Sequence, residues 1–172
     1  QAGGPQLRAA GTIGGNVCNG ITSADSASTL MALDAVMRVK GPRGEREVPI
    51  AQWYKGVGRV DLAPYELLVK IVIPRDDAVQ AAYEHYLALR EEVYGPEAAK
   101  KRPQTLMDIA TLGVSCLVKL SEDKETVEDL SLAFGVAAPV PIRAYGAEAA
   151  VRGMGVVEAV ERIGAAALEE VD

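Results

Sequence analysis

The feature that constrains this chain most is a glycine-rich turn near its start, Gly11-Thr-Ile-Gly-Gly-Asn16. Glycine has no Cβ, so Gly14 and Gly15 are expected to pass through positive φ and aim successive backbone N–H groups into one concavity, an anion nest. Thr12 and Asn16 flank that nest with side-chain donors. Asp25, nine residues past Asn16, offers a carboxylate to a sugar-type hydroxyl. An anion nest beside a hydroxyl acceptor suits a nucleotide cofactor with a pyrophosphate. The spacing matches neither the GxGxxG of a Rossmann turn nor a P-loop, which needs Lys and Ser or Thr after the glycines. Taken alone, such a turn also serves as a plain connection between two elements.

Composition narrows the class further. With 172 residues the chain is long enough for one compact domain or two small ones. Half of it is hydrophobic (49%), yet no run approaches the roughly 20 apolar residues of a membrane span. The sequence shows no secretory signal, and a cytoplasmic location is expected. Two cysteines, Cys18 and Cys116, are too few for a disulfide framework or a four-cysteine cluster. Cys18 reads as a small buried apolar residue rather than a redox thiol. Residues 1–60 hold seven Lys/Arg against four Asp/Glu, and residues 61–172 hold eleven against twenty. The positive segment thus contains the glycine turn, as a pyrophosphate site favours. A pI near 4.9 argues against a nucleic-acid partner.

Pattern places the elements. Asp25 or Ser26 is expected to cap a short helix through Leu33, setting the anionic ligand near a helix N-terminus. Ala35–Lys40 and Glu45–Val48 read as a hairpin around Gly41-Pro-Arg-Gly44. Trp53, on a helical turn over Ile50–Tyr54, reads as a core anchor rather than a ring stacked on a cofactor. Leu67–Ile73, closed by Pro74, is a nearly continuous apolar run and predicts a strand buried on both faces. Alternation predicts strands over Leu112–Leu120 and Leu130–Val136, joined by the turn Ser121–Glu125. Val156, Val160, Ile163, Ala167 and Val171 give a C-terminal amphipathic helix. Without a regular βαβ alternation, the fold class is α+β with antiparallel sheets.

Longer blocks carry a family resemblance. The run Arg8–Asp25 resembles the FAD-binding medium subunit of the molybdenum hydroxylases, the family of xanthine dehydrogenase and carbon monoxide dehydrogenase. Asn19-Gly-Ile-Thr-Ser-Ala-Asp-Ser-Ala27 is similar to bacterial xanthine dehydrogenase in particular. Further blocks follow in order: Arg43-Gly44 with Val48-Pro49-Ile50, Glu66–Pro74, Met107-Asp-Ile-Ala110, Leu132–Pro139 and Pro141-Ile-Arg143. The resemblance implies the second lobe of a PCMH-type FAD-binding domain over residues 1–75 and a small α+β C-terminal flavoprotein lobe over 76–172. It further implies that the first lobe, with a second glycine-rich loop, lies outside this chain. The piece alone is then expected to hold no FAD tightly and to catalyse nothing.

The same resemblance implies FAD as cofactor, with molybdopterin on a large partner subunit and [2Fe-2S] clusters on a small one. Electrons would pass from those clusters through FAD to NAD or another acceptor. The backbone of Gly11, Thr12, Ile13, Gly14 and Gly15 is assigned to the pyrophosphate, Asn16 to supporting donors and Asp25 to a cofactor hydroxyl. Leu67 or Leu68 is placed beside the isoalloxazine ring. A basic residue at the flavin falls on His85 or on Lys100, according to where a gap is set; both placements stay open, and a surface histidine is the plain reading of His85. No residue is assigned as catalytic acid, base or nucleophile, and none as a metal ligand. A self-contained flavin oxidoreductase without a molybdenum partner and a non-enzymatic docking module remain the alternatives.

Overall fold

A computed structural model describes residues 5–74 and 112–171. After two short helices, α1 (Pro5–Ala10) and α2 (Ile13–Cys18), helix α3 (Ala27–Ala32) leads into the hairpin β1 (Val36–Gly41) and β2 (Gly44–Pro49). Gly44 sits at φ 111°, a backbone conformation that closes this tight hairpin and that a β-carbon would strain. A 3₁₀ turn (Ile50–Gln52), a small pair β3 (Tyr54–Gly56) and β4 (Arg59–Val60), and strand β5 (Leu67–Val72) follow. The second half contains β6 (Gly113–Leu120), β7 (Val127–Gly135), β8 (Ile142–Arg143), α4 (Tyr145–Val151) and α5 (Val156–Leu168).

Every strand pairing is antiparallel, in sheets ordered β2-β1-β5, β3-β4 and β6-β7-β8. The α+β class with antiparallel sheets is therefore as the sequence predicts, and the β1–β2 and β6–β7 hairpins fall where alternation puts them. Met37 and Val39 of β1 point into a first core with Val17, Leu30, Met31, Ile50 and Trp53. Trp53 is fully buried and its indole donates to the Val17 carbonyl at 3.3 Å, which makes it the core anchor expected. Helices α4 and α5 cover β7 through Leu130, Leu132 and Phe134.

Two expectations are corrected. The strand at Leu67–Val72 is not buried on both faces: it is the edge of its sheet among the described residues, and Leu67 is 71% exposed. A bulge explains the altered phase. Arg38 pairs with Lys70 but Val39 with Leu68, so Val69 is the extra residue, and Leu68 and Ile71 face the core in place of a strict alternation. In α5 the buried line runs through Ala159 (5% exposed), not Val160 (69%). Close packing on β7 takes the small residue and leaves the branched one outside.

The halves are joined by a buried ionic cluster. Arg143 donates to Glu148 and to the Ser131 hydroxyl, and reaches Asp34 (2.6 Å) and the Met31 carbonyl (3.3 Å) at the end of α3. Glu148 also accepts from the Leu132 amide at 2.8 Å. Removing one partner strands the other charge, so Arg143→Met is expected to destabilise by about 3–5 kcal/mol. Arg143→Met with Glu148→Gln, which keeps the acceptor for Leu132, recovers most of that loss; urea denaturation of both variants checks it.

Candidate functional site

The glycine turn is built differently from the nest its sequence suggests. Gly14 and Gly15 lie inside α2, and neither has positive φ. The correction has a local cause. Thr12 is extended (φ −126°, ψ 152°) and caps the helix, its Oγ1 accepting from the Gly15 amide at 3.0 Å. The Asn16 amide is likewise taken by the Thr12 carbonyl at 3.0 Å. That leaves the Ile13 and Gly14 amides without a partner among the described residues, as at any helix start. Among the described residues, a Cβ on Gly14 would meet nothing closer than Thr12 Oγ1 at 4.0 Å.

Asn16 does not present itself mainly as a donor. Its Oδ1 accepts from the Ser26 amide (3.2 Å) and hydroxyl (2.5 Å), tying α2 to the start of α3. Ser26 is the N-cap residue of α3 but makes no side-chain cap bond, because its hydroxyl is spent on Asn16. Asp25 is therefore not the cap. It is exposed, forms no ion pair with another described side chain, and lines a cavity of about 200 Å³. The opposite wall of that cavity comes from Gly113, Ser115 and Val136 of the second half. Ser115 donates to Ser28 at 2.9 Å across it. Val136, at φ 68°, is a β-branched residue in the left-handed region, held there by its amide bond to Thr22 Oγ1 at 3.0 Å.

Of the two leucines assigned to a ring, Leu67 is available and Leu68 is packed on the first core. Helix α2 packs against β5, which brings the glycine turn and this strand together. The residue before Leu67 carries a signal that reading by motif missed. Glu66 takes a fork from Arg46 (Nε 3.0 Å, Nη2 2.7 Å) and a third bond from the Ala63 amide at 2.9 Å. Hydrogen bonds from Arg46 first, then from Ala63, hold its carboxyl down from the ordinary 4.5 to about 2. A charged pair twenty residues apart is visible in sequence only once β2 and β5 are known to flank β1. Cys18 is half-buried, and burial pushes its thiol up, so it is poorly suited to redox work. His85 and Lys100 lie outside the described residues.

Residues 1–76 match the FAD binding domain in molybdopterin dehydrogenase, and residues 97–172 match the CO dehydrogenase flavoprotein C-terminal domain. The chain belongs to the family of FAD-binding subunits of the molybdenum hydroxylases. It is 40% identical over 145 residues to the putative xanthine dehydrogenase FAD-binding subunit of Escherichia coli (strain K12), covering 84% of this chain and 44% of that protein. It is 33% identical over 96 residues to the nicotinate dehydrogenase FAD-subunit of Eubacterium barkeri, covering 54% of this chain and 32% of the relative. The solved structure of carbon monoxide dehydrogenase from Hydrogenophaga pseudoflava superposes with a TM-score of 0.79 at 27% identity, over 99% of this chain and 54% of that one. The chain thus spans between a third and about half of the length of these relatives. Among the described residues no helix is long and apolar enough to cross a membrane.

Because the folded carboxyl of Glu66 titrates lower than the unfolded one, its fork stabilises fully above about pH 4.5, and that contribution fades as pH falls towards 2. Glu66→Gln is expected to flatten the acid side of the stability profile in that window; urea melts between pH 2 and 6 measure it.

Proposed function

We propose that this chain forms part of a cytoplasmic FAD subunit of a molybdenum hydroxylase, most like xanthine dehydrogenase, working with a molybdopterin subunit and a [2Fe-2S] subunit. Residues 1–75 are the second lobe of the FAD-binding domain and 76–172 the C-terminal lobe. When bound, FAD supplies exchange between one-electron iron–sulfur donors and a two-electron acceptor, NAD or another. The protein's part is to bind, orient and seal.

The observation that carries this reading is Gly14. No described residue requires a glycine there, since a Cβ would meet none of them closer than Thr12 Oγ1 at 4.0 Å. A helix start with bare glycine and two unpartnered amides accepts close approach of an anion from outside. The pyrophosphate therefore lies on the Ile13 and Gly14 amides, with Thr12 beside it. Asp25, without an ion pair among the described residues, accepts from a cofactor hydroxyl, and Asn16 holds the turn rather than the ligand. Leu67 or Leu68 packs beside the ring. These residues fit FAD in charge, hydrogen-bonding sense and apolar surface.

The test is titration of the native subunit with FAD and FMN. FAD is expected to bind more tightly, and Gly14→Val to weaken FAD while leaving the melting temperature nearly unchanged. Equal affinity for FMN would remove the pyrophosphate assignment. Asp25→Ala is expected to cost about 1.5–3 kcal/mol of FAD affinity with no loss of stability, since Asp25 caps no helix; paired melts and titrations read both.

A further inference from the structure

We propose that Thr22 is a positioning residue for the cofactor: its hydroxyl, bonded to two backbone groups of the second half, fixes the turn from which Asp25 reaches the cofactor hydroxyl. The inference rests on the reading above that Asp25 accepts from that hydroxyl. An exposed aspartate on a loop is ordinary. What sets this one apart is that its loop is anchored on both sides, once in each half of the chain.

The backbone around Asp25 is two consecutive turns. The Ala24 amide donates to the Ile21 carbonyl at 3.1 Å, and the Ala27 amide to the Ala24 carbonyl at 2.9 Å. Thr22 is the second residue of the first turn and Asp25 the second residue of the next, with Ala24 shared, so a shift at one is carried to the other. After Asp25, Ser26 is tied to Asn16 Oδ1 through its amide (3.2 Å) and its hydroxyl (2.5 Å). Asn16 stands one helical turn past Thr12, whose carbonyl takes the Asn16 amide. Residues so spaced share a helix face, so this tie draws the Asp25 turn to the Thr12 side of α2.

Before Asp25 the anchor crosses to the second half. The Thr22 hydroxyl accepts from the Val136 amide and donates to the Ala138 carbonyl, both at 3.0 Å. Val136 stands at φ 68°, which a β-branched side chain disfavours, so without the hydroxyl this segment relaxes away from Thr22. The approach is close. A Cβ on Gly135 would press on the Thr22 carbonyl at 3.1 Å. Thr22, Asp25, Gly135 and Val136 line one cavity, so the joint lies in the same wall as the carboxylate it steadies. The hydroxyl is what the joint needs: valine has the shape and supplies neither bond, while serine supplies both.

The experiment titrates the native subunit and its variants with FAD. Thr22→Val is expected to raise the FAD dissociation constant about tenfold, and Thr22→Ser to bind as the native protein does. Because Thr22 acts through Asp25, Thr22→Val is expected to cost nothing further in the Asp25→Ala background. Thr22→Ala, which leaves room for a water at the Val136 amide, takes the place of the valine variant in both backgrounds if that one fails to fold. An equal loss in the two backgrounds would overturn the proposal, since it marks damage that bypasses Asp25. A serine variant as weak as the valine one would overturn it too. Native affinity in Thr22→Val, beside a clear loss in Asp25→Ala, would remove the role of Thr22 and leave the Asp25 contact standing. If Asp25→Ala alone binds FAD as tightly as the native chain, that contact fails, and the inference with it.

Discussion

The rest of the structure depends on one guanidinium. Arg143 lies on the last strand of the second sheet, its side chain 7% exposed, and it reaches back to the end of α3 in the first half. Taking a charge out of water costs several kcal/mol, and the cost is offset only where acceptors surround it. Here they do: Glu148 on α4, Ser131 on β7, Asp34 and the Met31 carbonyl after α3, with the Tyr145 ring 5.3 Å away. Asp34 turns through φ 48° to present its carboxylate. The partners come from α3 and the residues just after it, from β7 and from α4, so the geometry is satisfied in one arrangement of the two halves.

That arrangement is what gives Asp25 its surroundings. Ala133 of β7 enters the first core, and the Thr22 hydroxyl donates to the Ala138 carbonyl at 3.0 Å while accepting from Val136. The loop carrying Asp25 is therefore clamped to the turn after β7, and the cavity between them has fixed walls. Holding a valine at φ 68° costs of order 1–3 kcal/mol. Such strain persists only where neighbouring bonds over-determine the backbone, as the paired bonds of Thr22 do.

Much of this was legible in the sequence. The β1–β2 and β6–β7 hairpins declared themselves through alternation and turn residues, and Trp53 through being the only tryptophan in a largely aliphatic chain. What failed did so for particular reasons. Two adjacent glycines suggest positive φ, but Thr12 three residues before Gly15 is also a helix cap, and the cap prevails. The Leu67–Ile73 run looked buried because apolar content carries no record of a bulge or of a sheet edge. In α5 four of the five stripe positions, Val156, Ile163, Ala167 and Val171, pack on the core, and only Val160 gives way to its neighbour Ala159, where close packing prefers the smaller side chain. The Arg143 and Glu66 clusters were invisible, since each partner sits on an element whose neighbours only the topology supplies.

Helix α2 shows how the two levels meet. Six residues long, with two glycines, it has little intrinsic stability: each glycine costs roughly 1 kcal/mol relative to alanine, and so short a helix is marginal in any sequence. It is held from outside. Val17 is fully buried, its carbonyl takes the Trp53 indole, and Asn16 is bonded to Ser26. At Gly15 the chain itself accounts for part of the choice, since a Cβ would press on Thr12 Oγ1 at 3.2 Å and disturb the cap. At Gly14 no described residue does. A residue that weakens its own helix, in a place with room for a side chain, is accounted for by something that must come close from the solvent side. The fold spends tertiary contacts on keeping that turn helical and bare, which is the condition under which backbone amides rather than side chains make the contact.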